Sequence, residues 1–68
     1  MTVRDILRKC SGEMNVYIYD DEYTYYERIP LNEIKKEVKE SSNGLFDKRM
    51  IKDWHISNGD LMVEVEVI

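Results

Sequence analysis

The sequence predicts an α+β fold: one two-layer domain over residues 1–68, with two short helices on one face of a four-stranded antiparallel sheet built from two hairpins, in the order α-β-β-α-β-β. Three observations carry this. Apolar residues recur at helical spacing in "TVRDILRKC" and "PLNEIKKEVKESSNG". They alternate with period two in "NVYIY" and "DLMVEVEVI", and two turn signals, Asp20-Asp21 and Asn58-Gly59, divide the strands into hairpins. Two short amphipathic helices roof only one side of such a sheet, so the other side is expected to stay in water.

The first helix is set by Thr2, three residues before Asp5, a capping-box variant in which the hydroxyl accepts a backbone N–H and the acid favours the helix start. Val3, Ile6, Leu7 and Cys10 then share one stripe, which Ser11-Gly12 ends. From Met14 the period changes to two. With Asp20 and Asp21 as the loop, Ile18 pairs with Tyr23, Tyr17 with Thr24, Val16 with Tyr25 and Asn15 with Tyr26. That register puts Val16, Ile18, Tyr23 and Tyr25 on the core face, and Tyr17, Tyr19, Thr24 and Tyr26 on the outer one.

Pro30 suits the opening of the second helix, where its fixed φ and missing N–H are harmless. Leu31, Ile34 and Val38 form its apolar stripe, and Asn43-Gly44 offers a left-handed cap. "LFDKR" reads as a connector whose Leu45 and Phe46 plug the core. In the last hairpin, Ile56 meets Leu61, Trp54 meets Val63, Lys52 meets Val65 and Met50 meets Val67 on the buried side, with Lys52 snorkelling at an edge. His55 with Met62, Asp53 with Glu64 and Ile51 with Glu66 form the opposite side.

A 68-residue chain buries only about 60% of its unfolded surface, so patterned apolar residues are structural first and little sequence is left for a deep site. Fourteen acidic against ten basic residues give a net charge of −4, which repels phosphate backbones and anionic lipid and favours a basic protein partner. Neither direct nucleic-acid binding nor a membrane partner is expected. Cys10 is the only cysteine and the N-terminus has no apolar signal core, which predicts a complete, soluble product of the reducing cytoplasm.

Catalysis finds no support in the residues. The glycines at 12, 44 and 59 read as turn residues rather than a phosphate loop, and Cys10 reads as a small buried hydrophobe. His55 with Asp53 and Glu64 has metal-ligand chemistry but no dedicated spacing, and a solvated strand histidine explains it. No cofactor and no metal are expected. Arg4, Arg8, Lys9, Lys35, Lys36 and Lys39 on the helices are a solvated face in the simplest reading, and a nucleic-acid patch in the alternative.

The candidate partner-binding surface is the uncovered face: Tyr17, Tyr19, Tyr26, Asp53, His55, Glu64 and Glu66, with Asp20, Asp21 and Glu22 at the loop. Tyrosine offers a large ring with a hydroxyl at low entropic cost, which interfaces favour. It is also a good strand former, so cross-strand pairing alone explains its presence. Asp53 opposite Glu64 repels at a cost on the order of tenths of a kcal/mol, which invites a cationic partner. The residues thus favour a non-catalytic acidic protein-binding module. A structural protein that self-associates as a homodimer through its sheet, the terminal "VEVEVI" strand being the candidate edge, is the alternative.

"MTVRDILRKC", "VYIYDDE", "IP" and "WHISNGDLMVEVEV" together resemble the small acidic open reading frames of prophages and mobile elements in Firmicutes-type bacteria, a family of uncharacterised function. The resemblance covers most of the chain, and residues 31–44 depart from it in being longer and more helical. It implies the same helix-and-hairpin fold, and a role as inhibitor of a bacterial nuclease or defence complex by occupying its basic surface.

Overall fold

The computed structural model describes residues 1–40, 46 and 49–67, arranged as α1 (Val3–Lys9), β1 (Asn15–Tyr19), β2 (Thr24–Pro30), α2 (Leu31–Glu40), β3 (Ile51–Ser57) and β4 (Asp60–Val65). The expected Asn43-Gly44 cap and the side chain of Leu45 lie outside the described residues. The α+β order follows the sequence pattern. The expectation of a wholly antiparallel sheet does not hold: the strand order is β2-β1-β4-β3, and β1 runs parallel to β4, from Asn15 beside Asp60 to Tyr19 beside Glu64. Alternation fixes which face a residue takes but not which way a neighbouring strand runs. The two most cleanly alternating strands occupy the middle, so "VEVEV" is interior rather than an edge.

Both helices lie on one side. Val3, Ile6 and Leu7 of α1, Leu31, Ile34 and Val38 of α2, and Phe46 close over Val16, Ile18, Leu61, Val63 and Val65, all buried. The capping box forms: Asp5 N–H donates to Thr2 Oγ1 (3.4 Å) and Thr2 N–H to Asp5 Oδ2 (2.9 Å), which holds the Asp5 carboxyl below its ordinary pKa. Leu31 N–H donates to Met14 O (2.8 Å), tying the start of α2 to the approach to β1. No helix among the described residues is long and apolar enough to cross a membrane.

The β1–β2 hairpin departs from the expected register. Tyr19 pairs with Thr24, Ile18 with Tyr26, Val16 with Ile29 and Asn15 with Pro30. The loop is four residues, because the Asp20 side chain takes the N–H groups of Glu22 and Tyr23 and organises Asp20–Tyr23 as one turn. Two bulges follow: Tyr25 is the extra residue of one, and Glu27 with Arg28 (φ 54°) stand against Tyr17 in the other. An odd insertion reverses the faces downstream. Tyr26, expected outside, therefore turns to the helix side, and Tyr23, expected in the core, is 63% exposed.

The last hairpin keeps four expected pairs, Ile56–Leu61, Trp54–Val63, His55–Met62 and Asp53–Glu64, around an Asn58-Gly59 turn with φ of 52° and 80°. Beyond Asp53 a bulge intervenes, so Ile51 rather than Lys52 meets Val65. Ile51 packs against the core, while Lys52 is turned to the acids of the other side and Met50 is exposed. Trp54 and Ile56, expected buried, are 44% and 55% exposed, on an edge strand where an open groove separates them from α1.

Candidate functional site

The uncovered face is ordered by register. Tyr17 of β1 lies beside Met62 of β4, which lies opposite His55 of β3. One step along, Tyr19, Glu64 and Asp53 form a second row. Four of these six side chains, on the two central strands, are half-buried; Asp53 and His55 on β3 are exposed. Among the described residues no helix covers them, and the core residues of β1 and β4 all point the other way. The Tyr19 phenol is pushed above its ordinary pKa by burial first, and then by the Glu64 and Asp53 charges, so it presents a neutral hydroxyl at the acid end of the face.

Sequence reasoning placed Lys52 on the wrong side and so misjudged the Asp53–Glu64 repulsion. The bulge delivers Lys52 Nζ to 3.5 Å from Glu64 Oε2 and 3.7 Å from Asp21 Oδ2. The ammonium is held protonated above its usual range, by Asp21 most and Glu64 next. The acid pair thus has an internal counter-ion, and it alone no longer argues for a cationic partner. Carboxylates still outnumber the cation there: Asp21 and Glu64 share one lysine, Asp53 pairs with Glu64 across the strands, and the exposed Glu66 follows β4.

Two expected site residues leave this surface. Asp20 is consumed internally, with its side chain 4% exposed. It accepts from the N–H groups of Glu22 (2.8 Å) and Tyr23 (2.7 Å), from the Tyr25 hydroxyl (2.6 Å) and from Arg49 Nη1 (3.2 Å). Arg49 also donates to the Tyr25 hydroxyl, and its guanidinium carbon lies 4.9 Å from that ring centroid. The donors hold the Asp20 carboxyl below its ordinary pKa, Tyr25 contributing most. This cluster clasps the β1–β2 turn to the start of β3, and it explains a share of the tyrosine crowding by folding alone. Asp21 and Glu22 remain exposed.

Tyr26 is the second. Its ring stacks on Phe46 (5.8 Å between centroids) and its hydroxyl donates to Glu37 Oε1 of α2 (2.5 Å). Burial and then Glu37 push the phenol up to about 12. The expected aromatic surface therefore keeps Tyr17 and Tyr19, gains Met62 between Tyr17 and His55, and loses Tyr26. Alternation within β4 was the signal for Met62; no local signal marked Tyr26.

Among the described residues, grooves flank α1 on both sides. Between α1 and α2, Arg4, Leu7, Arg8, Lys35, Val38 and Lys39 line one of about 430 Å³, where Arg4 donates to Val38 O (2.9 Å) and Lys35 to Cys10 O. Between α1 and β3, Ile6, Cys10, Met14, Trp54 and Ile56 with Met1 line a mainly apolar one of about 340 Å³, to which Lys9 and Ser11 also contribute. Cys10 is thus a small hydrophobe among apolar neighbours. Among the described residues no three His, Cys, Asp or Glu side chains gather into a group able to hold a metal ion. Comparison with models of known families, with curated proteins and with solved structures finds no match.

Proposed function

We propose that the protein is a non-catalytic acidic binding module whose open sheet face engages a basic protein surface. The two rows Tyr17–Met62–His55 and Tyr19–Glu64–Asp53 carry this reading, because they set flat, half-buried apolar groups beside carboxylates on a face that no helix of the described residues covers. Arginine is the complementary group: its guanidinium stacks on a phenol ring and pairs with a carboxylate in the same step. In this mechanism Tyr17, Tyr19 and Met62 supply packing, whereas Asp53, Glu64, Glu66 and Asp21 set approach rate and orientation. A bacterial nuclease or defence complex, occupied at its nucleic-acid-binding surface in the cytoplasm, is the partner class suggested by the prophage-like pattern of "VYIYDDE" and "WHISNGDLMVEVEV".

Affinity capture from bacterial lysate, followed by titration of the captured protein, tests this. Binding is expected to weaken as salt rises, to fall at least about tenfold in Tyr17→Ala with Glu64→Lys, and to be unaffected by Lys39→Ala on the helix side. An affinity indifferent to the double change removes the open face from the mechanism.

The basic α1–α2 groove supports a second reading, an anionic ligand such as a nucleic-acid backbone held by Arg4, Arg8, Lys35 and Lys39. An electrophoretic mobility assay at low salt decides it: no retardation of single- or double-stranded nucleic acid eliminates this reading.

A further inference from the structure

The two sheet edges differ. β2 is interrupted by two bulges and ends on Pro30, devices that spoil an edge for pairing. β3 beyond its one bulge is regular, and its open side is set by the turn. A two-residue loop makes Ser57 and Asp60 a hydrogen-bonded pair, and such pairs alternate along an antiparallel ladder. His55 and Asp53 therefore bond to β4, while Trp54 and Ile56 turn both N–H and C=O outward. Two contacts agree with this phase. Trp54 N–H is taken up by the neighbouring Asp53 carboxylate (2.8 Å), and Ile51 N–H, outward beyond the bulge, donates to Met1 O (2.8 Å).

The N-terminal residues thus close the edge at one end, where Thr2 also bridges Met50, and the Asn58-Gly59 turn ends it at the other. What stays open is Asp53–Ser57, centred on His55. We propose that this stretch pairs antiparallel with itself in a second copy of the chain, about a two-fold axis through His55, to give a continuous eight-stranded sheet.

Several observations select a second copy as the occupant. The two outward-facing residues, Trp54 and Ile56, flank His55 equally, so a two-fold axis there sets each against the other, and strap and turn bound the stretch on both chains alike. Trp54 then faces Ile56 of the other copy, twice, each pair exchanging two backbone hydrogen bonds. Both side chains lie on the helix side beside the apolar α1–β3 groove, where they are 44% and 55% exposed without a cover. Asp53 must release Trp54 N–H for the pairing to form, and the strand is short, so the dimer is a weak one near the lower limit of specific interfaces. The contact is independent of the open-face reading, and it would place two Tyr17–Tyr19 faces on one sheet.

Sedimentation velocity on the full chain tests the pairing from roughly 5 µM to roughly 1 mM, a span that brackets weak interfaces of this size. The mass is expected to rise from 8.2 kDa toward twice that value, and the emission of Trp54, the sole tryptophan, to shift to the blue in parallel. Ile56→Pro removes an N–H that the monomer ladder does not use, and Trp54→Lys places a charge in the contact; each should weaken association at least tenfold. Far-UV circular dichroism reports whether each variant folds, and if Ile56→Pro does not, Trp54→Lys with the wild-type emission carries the test. Tyr17→Ala, on β1 two strands from this edge, should leave the dimer unchanged, which separates it from the open face. A wild-type chain monomeric throughout, association without a shift in Trp54 emission, or a dimer indifferent to the folded edge variants overturns the proposal.

Discussion

Phe46 reaches the core from the connection between α2 and β3, and its replacement by alanine is the most demanding test of the two-layer arrangement. The side chain is wholly buried and lies under Tyr26 with rings 30° apart. Removing it forfeits the transfer energy of a phenyl group and leaves a void that the small core closes only in part, a combined cost of about 3–5 kcal/mol. A 68-residue domain holds roughly 3–10 kcal/mol in total, so Phe46→Ala is expected to unfold much of the population at room temperature. Urea titration followed by far-UV circular dichroism measures this, with Phe46→Leu as an intermediate point should the alanine variant lack a native baseline. Tyr26→Leu completes a double-mutant cycle, whose coupling is expected at about 0.5–1.5 kcal/mol for a stacked pair. A loss below about 1.5 kcal/mol for Phe46→Ala, or no coupling to Tyr26, would falsify the placement of Tyr26 in the helix layer, and with it the reduction of the open-face tyrosines to two.

Three further outcomes follow from the hydrogen bonds. Because the folded Asp20 carboxyl titrates below the ordinary value of 3.8, its contribution is complete above that value and is lost as pH falls through the depressed folded pKa; acid unfolding should begin at higher pH in Asp20→Asn, and identical acid profiles would show that the clasp is not formed. The Tyr26 phenol stays protonated to about 12 in the folded chain but ionises near 10 when unfolded, so its contribution is lost as pH rises between those values; absorbance at the phenolate band should show late ionisation of Tyr26 and Tyr19, of which the Tyr26 step alone moves earlier in Glu37→Gln. Thr2→Ala removes the capping hydroxyl of α1 and should cost about 1 kcal/mol in urea titration, whereas no change would mean that the box seen at 3.4 and 2.9 Å contributes nothing in solution.

Local chemistry was legible and insertions were not. Thr2 with Asp5, Asn58 with Gly59, and the pairs Ile56–Leu61 through Asp53–Glu64 could be written from neighbours alone, because a cap or a tight turn is decided within four residues. The direction of β1 against β4 is decided by how two finished hairpins share one core, and alternation is blind to it. Bulges are worse for such reasoning, since one extra residue reverses every assignment beyond it. Tyr26 crossed to the helix side because Phe46 and Glu37, eleven or more positions away in sequence, hold it there. Asp20 looked like a loop acid offered to a partner, yet Arg49 and Tyr25 fill its oxygens.

The same bulge logic changes how the open face must work. Without Lys52, Asp53 and Glu64 would repel and a cationic partner would relieve them for nothing in return. With Lys52 between Glu64 and Asp21, a partner's arginine has to compete with a resident cation. That resident is 54% exposed, and ion pairs so placed are weak, so displacing it is a small obstacle. Discrimination follows from the difference between the two cations: lysine is a point charge that gains little from the neighbouring phenols, while a guanidinium stacks on Tyr17 or Tyr19 and pairs with Glu64 together. On the proposed reading, an isolated ammonium group gains nothing by exchange with Lys52, whereas arginine presented on a surface flat enough to cover Met62 and both rings is favoured. Charge would then draw such a partner in, and packing on the row of Tyr17, Met62 and His55 would decide how long it stays.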